Sequence, residues 1–207
     1  MRILKPGRLP YEAGLELQER LVAEVSAGGE EALVLLEHEP VYTIGRTRDR
    51  SSLRGDLPHA VFETNRGGQA TFHGPGQLVG YPILDLSKRG RDLHLYLRFL
   101  EDFLVEFAGG FGVEAHCREG LTGVWVETRK LASIGVGVRK WISMHGFAIN
   151  ITRQSTEPFA QITPCGLAGV RMTSLEKESG ADIEFGGALG RAVELFQRRM
   201  GAFGKTL

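Results

Sequence analysis

Apolar positions along the chain recur at two different periods, and the switches between them outline the elements. Over residues 11–27, Leu15, Leu17, Leu21, Val22 and Val25 stand among Glu12, Glu16, Gln18, Glu19 and Glu24 at close to the spacing of one helical face. Gly28-Gly29 ends the run. A second amphipathic helix is predicted over 94–107, where Leu95, Leu97, Phe99, Leu100, Phe103, Leu104 and Phe107 alternate with Arg98, Glu101, Asp102 and Glu106 before Gly109-Gly110. A closing helix over 188–200 turns Ala192, Val193, Leu195, Phe196 and Met200 inward. Short aliphatic runs at 32–37, 41–44, 60–62 and 78–86, bounded by Gly, Pro and Asp, read as strands. Three further runs at 123–127, 131–138 and 141–151, separated by turns carrying Arg and Lys, read as an antiparallel meander.

Helices therefore alternate irregularly with strands, which suits an α/β (α+β) domain with a mixed sheet better than a doubly wound one. No repeat or linker divides the 207 residues, so a single domain over 1–207 is expected. A smaller subregion from about residue 163 stays open, because Ser179-Gly180-Ala181-Asp182 and Gly186-Gly187 break that part into short pieces.

Charge and composition narrow the function. Twenty-five basic residues balance twenty-five acidic ones. The whole molecule thus lacks the basic field that grips a polyanion, and nucleic acid is not an expected partner. No run approaches the length of apolar chain needed to cross a bilayer, so a membrane is not expected either. The chain opens on Met1-Arg2-Ile3-Leu4-Lys5-Pro6, without the pattern of a secretory signal, and two cysteines cannot form a disulfide framework. A cytoplasmic location and a monomer are the default expectations. Neither H-E-x-x-H nor C-x-x-C spacing occurs, so no metal site is expected. Arg46, Arg48, Arg50 and Arg54 form a basic run in a predicted loop, either solvated or able to steer an acidic partner.

Glycine is in excess, 28 of 207 residues, and its densest cluster is local. Gly67, Gly68, Gly74, Gly76 and Gly80 fall within residues 66–80, with Arg66, Gln69, Thr71, His73 and Gln77 between them. Missing Cβ atoms let backbone approach a ligand closely while the interleaved side chains offer polar contacts. The spacing fits neither a phosphate-binding Walker loop nor a dinucleotide fingerprint.

The order Arg66-Gly67-Gly68, then Thr71-Phe72-His73-Gly74-Pro75-Gly76-Gln77, then Tyr81-Pro82-Ile83 resembles the signature of the lipoate-protein ligase B family of octanoyl and lipoyl transferases. The similarity continues through Gly123-Val124-Trp125-Val126, Arg129-Lys130-Leu131-Ala132-Ser133-Ile134-Gly135-Val136, His145-Gly146-Phe147-Ala148-Ile149-Asn150 and Pro164-Cys165-Gly166. It departs at Gln69, where the family usually carries an acidic residue.

Local chemistry favours Cys165 over Cys117 as a nucleophile. Thr163-Pro164 forces a turn before Cys165 and Gly166 frees the backbone after it, and a helical turn starting in 167–175 would favour the thiolate. A small buried hydrophobe remains the alternative reading of an isolated cysteine. The resemblance assigns Cys165 as the acyl-accepting thiol and Lys130 as its activating partner. It further implies that the acyl chain lies along Arg66, Gly67, Gly68, Gln69, Ala70, Thr71, Phe72 and His73, along Ser133, Ile134 and Gly135, and along Gly146, Phe147 and Ala148. Among the histidines, His73 and His145 fall in matching segments, whereas His38, His59, His94 and His116 do not.

The implied activity is octanoyl transfer from an octanoyl-acyl-carrier protein to a lysine of apo lipoyl domains, those of 2-oxoacid dehydrogenase complexes or of the glycine cleavage H protein. The implied fold is that of biotin and lipoate ligases, a mixed, largely antiparallel sheet flanked by helices. A thioester arrives activated, so no cofactor is implied. An ATP-dependent lipoate or biotin ligase and a noncatalytic carrier-binding module are the competing readings. Cys165 stands against the ligase, which needs no nucleophile there, and the intact Cys165 and Lys130 stand against the noncatalytic module.

Overall fold

The computed structural model describes residues 1–163 and 169–203; Cys165 lies outside the described residues. In chain order its elements are β1 (Arg2–Leu9), α1 (Tyr11–Ser26), β2 (Ala32–His38), β3 (Val41–Ile44), β4 (Val61–Glu63), β5 (Thr71–His73) and β6 (Gln77–Ile83). There follow α2 (Leu93–Gly109), β7 (His116–Arg118), β8 (Leu121–Val126), β9 (Arg129–Arg139), β10 (Ile142–Asn150), α3 (Leu175–Ser179) and α4 (Phe185–Met200).

Seven strands form one sheet in the order β1-β2-β6-β10-β9-β8-β7, with β1 and β2 parallel across α1 and every other neighbour antiparallel. Alternation along the central strands sends side chains to two opposite cores. Leu33, Leu35, Leu78, Phe147 and Ile149 meet Phe99, Phe103 and Phe107 of α2 and Phe196 of α4. Val34, Leu36, Val79, Tyr81, Met144 and Ala148 face Leu21, Val22 and Val25 of α1. Both faces of the central strands are covered, which is why β2, β6 and β10 are buried almost throughout. A second sheet, β4-β3-β5, packs Tyr42 and Phe72 with Ala70, Phe159 and Ile162 into a small core of its own. No helix among the described residues is long and apolar enough to cross a membrane.

Sequence periodicity places the three long helices and the meander within a few residues of where they stand. Two elements depart from expectation for identifiable reasons. β1 carries Pro6 and Gly7 and a register irregularity between Leu4 and Gly7, tolerable because it is an edge strand with half-exposed side chains. The run expected as one strand over 78–86 stops at Ile83, where Asp85 accepts from the Ser87 N–H at 3.0 Å and starts a short 3₁₀ turn over Leu86–Arg89. In the 167–175 stretch, considered for a helical turn, α3 begins at Leu175 with Ser174 as its cap, and residues 167 and 168 lie outside the described residues. Residues 171–173 are paired with the backbone of Lys130.

Gln18 is the polar exception in the buried face of α1, fully enclosed at 0% exposure. His145, inside β10, has a left-handed backbone with φ 56°. The β10 ladder to β6 ends at the Phe147–Gly80 pair, short of Pro82, which has no N–H to give. Gln18 answers both irregularities, since its Oε1 accepts the His145 N–H at 2.7 Å while its Nε2 donates to the Gly14 carbonyl at 3.3 Å. We expect Gln18→Leu, similar in size but unable to accept, to lower unfolding free energy by about 2 kcal/mol, the cost of an orphaned buried N–H. Urea denaturation followed by circular dichroism measures this; an unchanged midpoint would contradict the assignment.

Candidate active site

Beyond the N-terminal end of α1, the α1-side face of the large sheet is left to the glycine-rich segment that leads into β5. Between them lies a narrow cavity. Its walls are Arg66, Gly68, Gln69, Ala70, Thr71 and His73 from the glycine-rich segment, Ser133, Ile134 and Gly135 from β9, and Gly146, Phe147 and Ala148 from β10. Tyr11, Val79, Tyr81 and His145 complete it. Three sequence segments singled out for acyl binding are thus brought to one enclosure. β9 and β10 are adjacent, pairing Ser133 with Ala148 and Gly135 with Gly146. The glycine-rich segment reaches them through the Gly67 N–H, which donates to the Val136 carbonyl at 2.9 Å.

Two expected members do not line this cavity. Gly67 makes that backbone bond beside it, and Phe72 turns the other way, into the small core against Tyr42 and Phe159. Phe72 lies between Thr71 and His73 on a strand, and alternation sends neighbours to opposite faces. Gln69 bonds Ser52 Oγ at 3.0 Å and Asp49 Oδ2 at 3.4 Å. A neutral amide can donate to Asp49, where a carboxylate would repel it, a local reason for this chain's departure at that position.

Close backbone approach is visible at Gly146, where an added Cβ would stand 2.3 Å from the Gly80 carbonyl oxygen and 2.7 Å from Pro82 Cδ. Only glycine lets β10 close on β6 at the cavity wall.

Most polar groups around the cavity are bonded to one another or to backbone. Arg66 Nη2 donates to the Thr43 carbonyl and hydroxyl at 2.9 and 2.7 Å, and Nη1 to the Gly67 carbonyl at 2.9 Å. His38 Nδ1–H donates to the Leu9 carbonyl at 3.0 Å, so its Nε2 receives the Tyr81 hydroxyl proton at 2.6 Å. His145 Nε2–H donates to Asn65 Oδ1 at 2.7 Å. His73 Nδ1–H donates to Gln77 Oε1 at 2.8 Å, leaving Nε2 as the acceptor of that ring. Tyr11 stacks near-parallel on His73 at 6.0 Å between centroids. Sequence reasoning missed Tyr11, which reads as an ordinary apolar position at a helix start, and His38, whose contact with Tyr81 joins strands forty-three residues apart.

Burial holds these histidines neutral. It drives His73 down to about 3, aided by His38, Arg66 and His145 and opposed by its bond to Gln77. It drives His38 to about 4 against its bond to Leu9, and His145 to about 4 with help from Arg66. Tyr11 is pushed up to about 12 by the same desolvation, and Tyr81 well above the ordinary phenol range.

Lys130 stands apart, at the start of β9 and only 2% exposed. Its Nζ donates to the Thr122 carbonyl at 3.0 Å and lies 5.2 Å from the centre of the Trp125 ring. Its backbone is bonded on both sides to the segment that follows Cys165: the Lys130 N–H to the Arg171 carbonyl at 2.8 Å, and the Thr173 N–H to the Lys130 carbonyl at 2.9 Å. On the other side, the Thr163 N–H donates to the Ser52 carbonyl at 2.7 Å, and Arg54 Nη2 reaches Thr163 Oγ1 at 3.3 Å. Of the basic run, Arg48 and Arg50 pair with Glu63 at 3.5 and 3.0 Å. Cys117 is half-buried near Glu101 and Asp102, and burial followed by those carboxylates raises its thiol, which disfavours the thiolate. No cluster of three His, Cys, Asp or Glu suited to a metal occurs among the described residues.

The neutral histidines make stability depend on pH. Unfolded histidine takes a proton below about 6.5, while His38, His73 and His145 stay neutral in the fold until about pH 3–4. Their contribution is complete above pH 6.5 and is lost as pH falls, at about 1.4 kcal/mol per unit for each. We expect unfolding free energy to drop by about 3 kcal/mol or more from pH 7 to pH 5, with a shallower slope in His73→Gln. Urea titrations at the two pH values test this, and a flat dependence would contradict the neutral cluster.

The lipoyl protein ligase A/B catalytic domain model matches residues 10–196. An octanoyltransferase of Citrifermentans bemidjiense is 59% identical over 177 residues, covering 86% of each chain. One from Geobacter sulfurreducens is 55% identical over 184 residues, covering 88% of this chain and 77% of that one. In fold, the chain resembles lipoate-protein ligase A bound with ATP at TM-score 0.79 and 14% identity, over 97% of this chain and 85% of that one. It also resembles the biotin protein ligase of Aquifex aeolicus at TM-score 0.60 and 15% identity, over 99% and 72%. With its cavity walled by the glycine-rich segment, β9 and β10, this chain belongs to the lipoyl protein ligase A/B catalytic domain family.

Proposed function

We propose that this protein is an acyltransferase that moves an octanoyl group from an acyl-carrier protein to a lysine amine of apo lipoyl domains, with Cys165 as nucleophile and Lys130 as its proton partner. The observation that carries this reading is the placement of Lys130. A buried lysine is bonded through its own backbone to residues 171 and 173, a few positions beyond the cysteine, while residue 163 is tied down just before it. Named octanoyltransferases at more than half identity support the reaction type.

In the first half-reaction the Cys165 thiolate attacks the thioester carbonyl. The new carbon–sulfur bond replaces the one to the carrier, and the departing carrier thiolate takes a proton from the Lys130 ammonium. In the second, neutral Lys130 accepts a proton from the incoming lysine ammonium. The freed amine attacks the acyl-enzyme, the Cys165 thiolate leaves as the amide forms, and the second proton of the attacking nitrogen passes to solvent. One lysine serves both steps as acid and then base. The octanoyl chain lies in the cavity among Ala70, Val79, Phe147 and Ala148, and Gly135 and Gly146 keep the walls close to it. Because the thioester supplies the activation, the chemistry runs without ATP.

Mass spectrometry of the intact enzyme mixed with octanoyl-carrier protein is the direct test. An added octanoyl mass that maps to Cys165, and that Cys165→Ala abolishes with a loss of at least about 10³-fold in transfer, is the expected result. Lys130→Gln is expected to lose about 10²–10⁴-fold, the usual range for a general acid–base group. Modification of the lipoyl domain from free octanoate and ATP at the rate seen with the carrier donor would instead make the protein a ligase.

A further inference from the structure

The mechanism uses the Lys130 amino group but leaves unexplained what holds it in so enclosed a place. Around it the structure has built a seat. Lys130 and Trp125 are direct cross-strand partners on β9 and β8, and a register irregularity between Val124 and Trp125 sits at this pair. Such a bulge re-aims a side chain, and here Lys130, Leu131 and Ala132 are consecutive buried residues. Gly123 has φ 119°, and a Cβ there would stand 2.8 Å from Lys130 Cε and 2.6 Å from the Ala132 carbonyl oxygen. The glycine thus makes room for the lysine stem, and its own N–H is held by Glu101 Oε1 of α2 at 3.2 Å.

Trp125 itself is fully buried, yet its indole Nε1–H has no hydrogen-bond partner among the described residues. Buried tryptophans ordinarily satisfy that donor, and leaving it unmet is costly. What Trp125 does offer is its π-face. Lys130 Nζ lies 5.2 Å from the ring centre and the Arg118 guanidinium carbon 5.0 Å from it. Tryptophan is the best aromatic for holding a cation, and the attraction strengthens where water is excluded.

We infer that Trp125 is a positioning residue for Lys130: its ring face, together with the Thr122 carbonyl, holds the amino group in place and aimed for the acyl-transfer step. The inference rests on the proposed pairing of Lys130 with Cys165. A ring of this kind would act on the acid–base step and not on substrate binding.

The test compares the full-length parent with Trp125→Leu, Trp125→Phe, Lys130→Gln and the Trp125→Leu/Lys130→Gln pair. Two quantities are read: the kcat and KM of octanoyl transfer, and the rate of Cys165 alkylation by iodoacetamide at pH 7, followed by peptide mass so that Cys117 is counted separately. Trp125→Leu is expected to slow alkylation and kcat about tenfold with KM for the carrier donor within twofold. Trp125→Phe, which keeps a ring face, should recover to within about threefold of the parent. In the Lys130→Gln background Trp125→Leu should slow alkylation no further, since the ring acts through the lysine. An unchanged alkylation rate in Trp125→Leu, with or without a lower melting temperature, would reduce the ring to core packing and overturn the inference. So would equal slowing by Trp125→Leu with and without Lys130. If Trp125→Leu does not fold, the same cycle is run with Trp125→Phe, where a two- to threefold slowing that vanishes without Lys130 is required. A parental alkylation rate in Lys130→Gln would sink the Cys165–Lys130 pairing as well, whereas a slow Lys130→Gln beside an unaffected Trp125→Leu sinks this inference alone.

Discussion

Asn150 holds the molecule's two halves of chemistry together. Its Oδ1 accepts from Gln77 Nε2 at 2.9 Å, and its Nδ2 donates to the Thr173 carbonyl at 2.9 Å. On one side, Gln77 in turn fixes the His73 ring at the cavity. On the other, the Thr173 N–H is bonded to Lys130. A run of hydrogen bonds therefore passes from the cavity wall through one fully enclosed amide to the backbone of the proposed acid–base residue. Each member is buried, so each bond, if lost, would strand a polar group where water cannot replace it. That makes the relative placement of cavity and lysine all-or-none.

The same requirement explains why a cavity proposed for an alkyl chain is surrounded by histidines, tyrosines and an arginine. Those groups spend their donors and acceptors on one another and on backbone: Tyr81 on His38, His38 on Leu9, His145 on Asn65, Arg66 on Thr43 and Gly67. Burial keeps the histidines uncharged. With the histidines and tyrosines uncharged and the Arg66 guanidinium bonded to Thr43 and Gly67, the wall makes little demand for water, and a proposed acyl chain can displace what remains at small cost. The lysine seat follows the opposite logic. There the bulge, the Gly123 gap and the Trp125 face accommodate a cation and not an alkyl chain.

Much of the plan could be read from residue order. Helical periodicity located α1, α2 and α4 because each has one apolar stripe facing a single core, and the meander β8-β9-β10 was visible because its turns are short and polar. The edge strand β1 escaped because Lys5, Pro6, Gly7 and Arg8 look like loop, and only pairing with β2 makes them strand. Nothing local reveals that residues 171–173 are held by the backbone of Lys130, far earlier in the chain. Gln18 looked like a surface position, and Tyr11 like plain helix hydrophobe, because the backbone N–H and the histidine ring they meet come from distant parts of the chain.

Residue order made the glycine-rich segment legible and supplied the proposed roles of Cys165, from local chemistry together with a family pattern, and of Lys130, from that family pattern. Tertiary structure alone decided which of those residues share an enclosure, that Phe72 turns away from it, that the histidines are neutral, and that Lys130 rests against Trp125. Those properties follow from burial and from hydrogen bonds between strands far apart in sequence. The electrostatic state of a buried group depends on everything packed around it, and packing exists only once the sheet has formed.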